Sequence, residues 1–383
     1  MITVDTPVAV PTRIVGGSVL INGQLVPTEV ALAGGRIVDS APGATDVDAS
    51  GLLVLPGIID LHGDAFERAI CPRPGVVVPM GIALAENDSW LLSAGITTAF
   101  LSATDSFEPG LRSRETLRHL VELLDPDEAF PLSCDIRLHV RHEVCLTDGH
   151  AELLDWMVKG RVHLLSTADH LPEDGDPVRR TRFLRSVSTR STLAPTAIDD
   201  LIARASAQRE LGRIQESELC RTALVLRIPL ASHDDHDETT VATSLARGCS
   251  IVEFPFTTAV ARIAQERSAC VLLGAPNWVR GGSHLGLLSV AEALTAGVAG
   301  ALCSDYHYPS LFHAAFLMAE RQVMPLADAW ALVSQRPAEA AGLTDKGRIA
   351  PGCAADLILV EPTPRGPRLR SVWVAGREVA RFA

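Results

Sequence analysis

The sequence predicts an α/β protein: a (β/α)8, TIM-like barrel with a small β-sandwich domain formed by both termini. Three observations predict it. Eight apolar runs alternate with amphipathic stretches through the middle of the chain, four of the runs end in a metal-ligand side chain, and both chain ends carry short strands with glycine turns.

The N-terminal stretch to about Ser50 reads as short strands, among them Ser18-Val19-Leu20-Ile21-Asn22-Gly23 and Val30-Ala31-Leu32-Ala33-Gly34-Gly35. The same texture returns in Asp356-Leu357-Ile358-Leu359-Val360 and Ser371-Val372-Trp373-Val374-Ala375-Gly376. Residues 1–54 and 350–383 are therefore expected to form one small composite β domain, with the barrel in 55–349. The candidate barrel strands are 53–62, 95–103, 133–143, 162–170, 228–234, 250–256, 269–276 and 300–306. That is the number a closed barrel needs. The stretch 171–215 is too long for a plain connection. Ile198 to Thr222 has helical spacing, which predicts a partly helical insertion near the mouth of the barrel.

Composition narrows the functional classes. The chain has 383 residues, 47% of them apolar, enough for one large domain and a small one. No apolar run reaches the roughly 18 residues of a membrane span. Met1 to Pro11 has neither the basic nor the apolar region of a signal peptide. Eight scattered cysteines show no paired spacing, and several lie inside apolar runs. A cytoplasmic location is expected from this usage. A net charge of −12 argues against a broad nucleic-acid surface, yet leaves room for a phosphorylated small molecule held by local arginines. The sequence also leaves room for a homo-oligomer.

The chemistry concentrates at the ends of the apolar runs. Leu55-Pro56-Gly57-Ile58-Ile59-Asp60-Leu61-His62-Gly63-Asp64 ends in an imidazole and a carboxylate two residues apart. Alternate strand residues share a face, so both could reach one cation. His170, His233 and Asp305 each end a further run. Active sites of such barrels form on that C-terminal face. Imidazole and carboxylate suit one or two divalent ions, with zinc, manganese and iron all compatible. On this reading His62 and Asp64 share one ion, and His170 and His233 hold a second or complete the first. Asp305 is the candidate general base. Two ions need an anionic bridge, and neither lysine of the chain, Lys159 or Lys346, follows an apolar strand. Glu143 does follow one and is the candidate bridge; a strand-end ion pair with Arg141 is the bland alternative.

At these residues the chain resembles the amidohydrolase superfamily. The resemblance rests on Leu55 to Asp64, on Gly95-Ile96-Thr97-Thr98 and on Pro351-Gly352-Cys353-Ala354-Ala355-Asp356-Leu357. Pro72-Arg73-Pro74-Gly75, Ala231-Ser232-His233-Asp234-Asp235, Glu253-Phe254-Pro255, Ser304-Asp305-Tyr306 and the long run Gly274 to His284 resemble one branch of it. That branch serves the carbon–phosphorus lyase pathway. The resemblance implies hydrolysis of a ribose 1-methylphosphonate 5-triphosphate to the 5-phosphate and pyrophosphate. It further suggests that Arg280, Gly281, Gly282 and Ser283 form an anion-binding turn flanked by Asn277 and His284, with Arg73 as a second phosphate contact. Where the branch carries His-Thr-Asp-Asn, this chain has His62-Gly63-Asp64-Ala65, which keeps the metal pair and removes a hydroxyl and an amide. The superfamily pattern implies a bridging residue on the fourth strand and histidines on the fifth and sixth. The count here gives the third for Glu143 and the fourth for His170, so either a strand is missing or the branch is atypical. Two other functions compete: cleavage of a C–N bond in an amide or cyclic amide, and a metal-free barrel with a binding or assembly role. Several arginines facing the metal residues would favour phosphate chemistry, and a single one amide chemistry.

Overall fold

The computed structural model describes residues 10–73, 75–125, 130–172, 177–190, 193–283 and 286–383. Its centre is an eight-stranded parallel sheet whose strands neighbour one another in chain order. They are Ile58–Gly63, Ile96–Asp105, Asp135–Glu143, Leu164–Ala168, Leu230–His233, Ile251–Glu253, Cys270–Gly274 and Ala301–Cys303. The sheet closes on itself through a parallel bridge between Gly63 and Asp305. The Asp305 amide donates to the His62 carbonyl at 2.9 Å, and the Asp64 amide to the Asp305 carbonyl at 3.0 Å. Each strand overlaps one of the eight runs read from the sequence, and no strand is missing. Glu143 thus ends the third strand, His170 follows the fourth, and His233 ends the fifth.

Strand alternation sorts the side chains. Ile59, Leu61, Phe100, Leu164, Ile251 and Leu272 fill the barrel interior. The neighbouring positions Leu101, Ala103, Leu138, Val140 and Leu165 belong to a separate core beneath the helices. This double burial explains why the strands read as continuous apolar runs rather than alternating ones.

The run 53–62 divides in two. Leu53–Pro56 pairs with Leu357–Thr363 and Ser18–Ile21 in a six-stranded sheet, and only Ile58–Gly63 enters the barrel. The break falls at Gly57, where a Cβ would lie 2.1 Å from the Thr97 hydroxyl oxygen; only glycine fits so close a crossing. A second, four-stranded sheet contains Thr12–Val15, Val30–Ala33, Arg36–Val38 and Thr45–Asp48. The two sheets share a core in which Ile14, Leu32 and Ile37 meet Val54, Leu357 and Trp373.

The insertion is helical over Pro177–Arg190, Pro195–Ser206 and Arg209–Leu226. Its helices bury Phe183, Val187, Ile198 and Ile202 against Cys145 and Leu171, which follow the third and fourth strands. A Cβ at Gly212 would sit 1.9 Å from the Val144 carbonyl, so the last of these helices presses on the loop directly after Glu143. Among the described residues, no helix is long and apolar enough to cross a membrane.

Candidate active site

Backbone strain marks the C-terminal face of the barrel. Asp234, Phe254 and Asp305, just past the fifth, sixth and eighth strands, adopt left-handed conformations with φ of 60°, 52° and 54°. Such residues cost on the order of 1–2 kcal/mol each, and the cost is tolerated where a side chain must be aimed.

Two histidine–carboxylate clusters occupy this face. The rim cluster is His170, His233 and Asp234, whose ligand atoms all lie within 4.8 Å of one another. His170 is anchored from behind: its Nδ1 bonds the Glu143 carboxylate, and its amide donates to Glu143 Oε2 at 3.2 Å. Burial alone would raise the Glu143 carboxyl, but His170 and Arg141 hold it below the usual glutamate range. His233 Nδ1 is buried and faces the Asp234 carboxylate at 3.4 Å, while Arg141 donates to its Nε2 at 3.0 Å. Two imidazoles and a carboxylate with ligand atoms this close together fit a divalent ion of the zinc, manganese or iron class.

The inner cluster is His62, His139 and Glu253, all buried, with ligand atoms again within 4.8 Å. Its polar atoms are largely bonded already. His62 Nδ1 and Glu253 Oε1 are hydrogen-bonded at 3.0 Å. His139 donates from Nδ1 to the Leu61 carbonyl at 3.1 Å and accepts from the Ser166 hydroxyl at Nε2 at 2.8 Å. The two clusters nearly touch, with the His62 and His233 ring centroids 5.4 Å apart.

A cavity of about 210 Å³ opens over them and is lined by His62, Asp64, His233, Asp234 and Asp305. The guanidiniums of Arg112 and Arg141 line it too, as do apolar Phe254, Leu273 and Leu287. Arg112 is held by Glu67 at 3.0 and 3.2 Å and lies 3.7 Å from Asp64. Burial, with Asp64 nearby, pushes the Asp305 carboxyl up to about 7. A carboxyl poised there exchanges protons near neutral pH.

The ligand set read from the sequence is only partly gathered. His62, Asp64, His233 and Asp305 line one cavity, whereas Glu143 and His170 form a pair behind His233. Asp64 belongs to neither three-residue cluster, although it follows the strand end at Gly63 and lines the cavity together with His62. Glu143 is bonded to His170, and Arg141 turns to His233 instead.

The anion-binding turn is corrected. Gly281 and Gly282 donate their amides to the carbonyls of Trp278 at 3.1 Å and Asn277 at 2.8 Å, closing the helix Ala275–Arg280, so neither is free for phosphate. The Asn277 side chain ties down the Leu288 carbonyl and the Val290 amide. Ser283 lines the cavity. Arg280 is exposed and reaches the Tyr306 hydroxyl, a cavity residue, at 3.2 Å. Arg73 is exposed, with its backbone bridged to Val76, and does not line the cavity. His284 lies outside the described residues. Sequence reasoning missed Arg112, Arg141, Asp234, His139 and Glu253 as site residues. One signal was available: Arg141 alternates with His139 and Glu143 on one strand, which places all three on one face.

The amidohydrolase family model matches residues 199–379. The alpha-D-ribose 1-methylphosphonate 5-triphosphate diphosphatase of Escherichia coli (strain K12) is 32% identical over 344 residues, covering 87% of this chain and 89% of that protein. Two solved structures share the fold at low identity. The N-isopropylammelide isopropylaminohydrolase of Burkholderia multivorans ATCC 17616 has a TM-score of 0.62 at 19% identity, over 97% of this chain and 98% of that one. A prolidase complexed with N-methylphosphonate-L-proline has a TM-score of 0.63 at 16% identity, over 97% and 100%.

Proposed function

This chain belongs to the amidohydrolase family, and on that footing we propose that it is a metal-dependent hydrolase of a sugar phosphoanhydride. The substrate we assign is a ribose 1-methylphosphonate 5-triphosphate, which takes up water and leaves as the 5-phosphate and pyrophosphate. The observation that carries this reading is the pair of guanidiniums, Arg112 and Arg141, in the cavity that also holds His62, His233 and Asp305. One arginine would suit a carboxylate-bearing amide; two suit the negative charge of a polyphosphate. The similarity to the E. coli diphosphatase supports the same choice.

Bound at His170, His233 and Asp234, a divalent ion would supply Lewis acidity toward a phosphoryl oxygen. The remaining work falls to the chain. Asp305 takes the proton of the attacking water, which its raised carboxyl can do near neutral pH. Arg112, already fixed by Glu67, meets developing charge on the phosphate oxygens without reorganising. Arg141 does so from the third strand. Phe254, Leu273 and Leu287 keep the cavity wall apolar, which strengthens each of these interactions.

A phosphorus NMR time course with manganese- or zinc-loaded protein tests the proposal. Pyrophosphate and the 5-phosphate should appear together, and Asp305→Asn should abolish both. Turnover of an amide or cyclic amide with no pyrophosphate would replace the phosphoanhydride reading with the C–N one.

A further inference from the structure

We propose that Glu253 is the positioning residue for His62: it accepts a hydrogen bond from Nδ1–H, which keeps the proton on Nδ1 and leaves the lone pair of Nε2 as the one offered to the cavity. The proposal rests on the reading that His62 serves a cation site. Glu253 ends the sixth barrel strand and pairs in register with His233 of the fifth, so its carboxylate lies at the level of the cluster. It is fully buried, one oxygen bonds His62 Nδ1 at 3.0 Å, and the other has no hydrogen-bond partner. A buried carboxyl with one oxygen unpartnered is costly and adds nothing to packing that an apolar residue could not supply.

The neighbours of His62 are arranged for the same purpose. His139 fixes the backbone just before it by donating to the Leu61 carbonyl. Phe254, in its strained conformation, meets the His62 ring edge to face, with centroids 4.9 Å apart. Backbone, ring face and Nδ1 are therefore each held by a different residue. The same bonds argue against a second ion within this trio. His62 Nδ1 and both nitrogens of His139 already have protein partners. A carboxylate that accepts the distal N–H of a metal-facing histidine fixes the tautomer and raises the basicity of the other nitrogen.

The test combines histidine 15N NMR of metal-free protein with zinc titration. Wild type should show His62 protonated at Nδ1. Glu253→Gln, which keeps an acceptor oxygen, should preserve that tautomer and bind zinc within a few-fold of wild type. Glu253→Met, close in size but with no carboxylate, should give a tautomer mixture and about 10- to 100-fold weaker zinc binding. Three results would overturn the proposal. One is Nε2 protonation in wild type, which can be read even if the Met variant fails to fold. Another is an unchanged tautomer and zinc affinity in Glu253→Met, which would make the residue core packing. The third is loss of a whole zinc equivalent in Glu253→Gln, which would make it a ligand. Absence of zinc binding in wild type would instead remove the metal reading, and the tautomer would still decide the dyad.

Discussion

The rim and inner clusters contain the same residue types, two histidines and a carboxylate, yet differ in what completes them. Inside, both nitrogens of His139 and one of His62 are bonded by protein. At the rim, His233 Nδ1 meets its cluster partner Asp234 at 3.4 Å, and the side chains of His170 and Asp234 are 36% and 38% exposed. The inner ring nitrogens named here are thus bonded by protein, with Glu253 Oε2 left unpartnered, whereas the rim cluster is partly open to solvent. Similar composition therefore does not mean similar function; the count of unused donor and acceptor atoms separates a support from a site.

The sharpest break in that comparison comes from His233→Ala. Metal content should fall to background and turnover by at least about 10³-fold, because the variant removes the ligand common to the cavity and the rim cluster. His139→Ala should act differently, lowering thermal stability while metal remains bound. Asp305→Asn comes next. Turnover should drop by roughly 10²- to 10⁴-fold with metal content unchanged, the range for loss of a general base. Arg112→Met and Arg141→Met should raise KM for the triphosphate by about 10-fold or more each, the loss of a charge-assisted contact of about 1.5–3 kcal/mol. A neutral amide substrate would be indifferent to both.

Chelation should lower Tm by a few degrees in wild type and leave His233→Ala unmoved, since an ion that binds only the folded state stabilises it by mass action. The smallest effect lies away from both clusters. His163 accepts the Leu138 amide at Nδ1 at 3.1 Å, and burial, aided by Arg137, lowers its pKa to about 4. It is neutral when folded but gains a proton near pH 6.5 when unfolded, so its stabilisation is complete above that pH. Between pH 6.5 and 4 it should be lost, at most about 3 kcal/mol, in urea titrations of wild type but not of His163→Gln.

Much of this architecture could be read from the sequence, because strands buried on both faces announce themselves as apolar runs. All eight were visible, and with them the strand positions of Glu143, His170 and His233. The inner cluster was hidden for a physical reason. Glu253 ends a three-residue strand, and its partner His62 lies 191 positions away, a contact that only barrel closure creates. Arg141 was visible only as the alternative ion-pair partner of its neighbour Glu143, while the fold supplied His233. The glycines after Arg280 misled in the opposite way: a Gly-Gly pair suits an anion nest and a helix C-terminus equally, and the preceding turn of helix decides between them. Asp64 was legible from its spacing to His62, and both line the one cavity.

The most direct measurement is the metal content of purified wild-type protein and of His170→Ala/His233→Ala, each after exchange into zinc and removal of free ion. Wild type should retain at least one equivalent and the double variant none, with both showing the circular dichroism of the intact barrel. Equal zinc in the two proteins would contradict the account, because the ion would then be held by something other than the rim cluster.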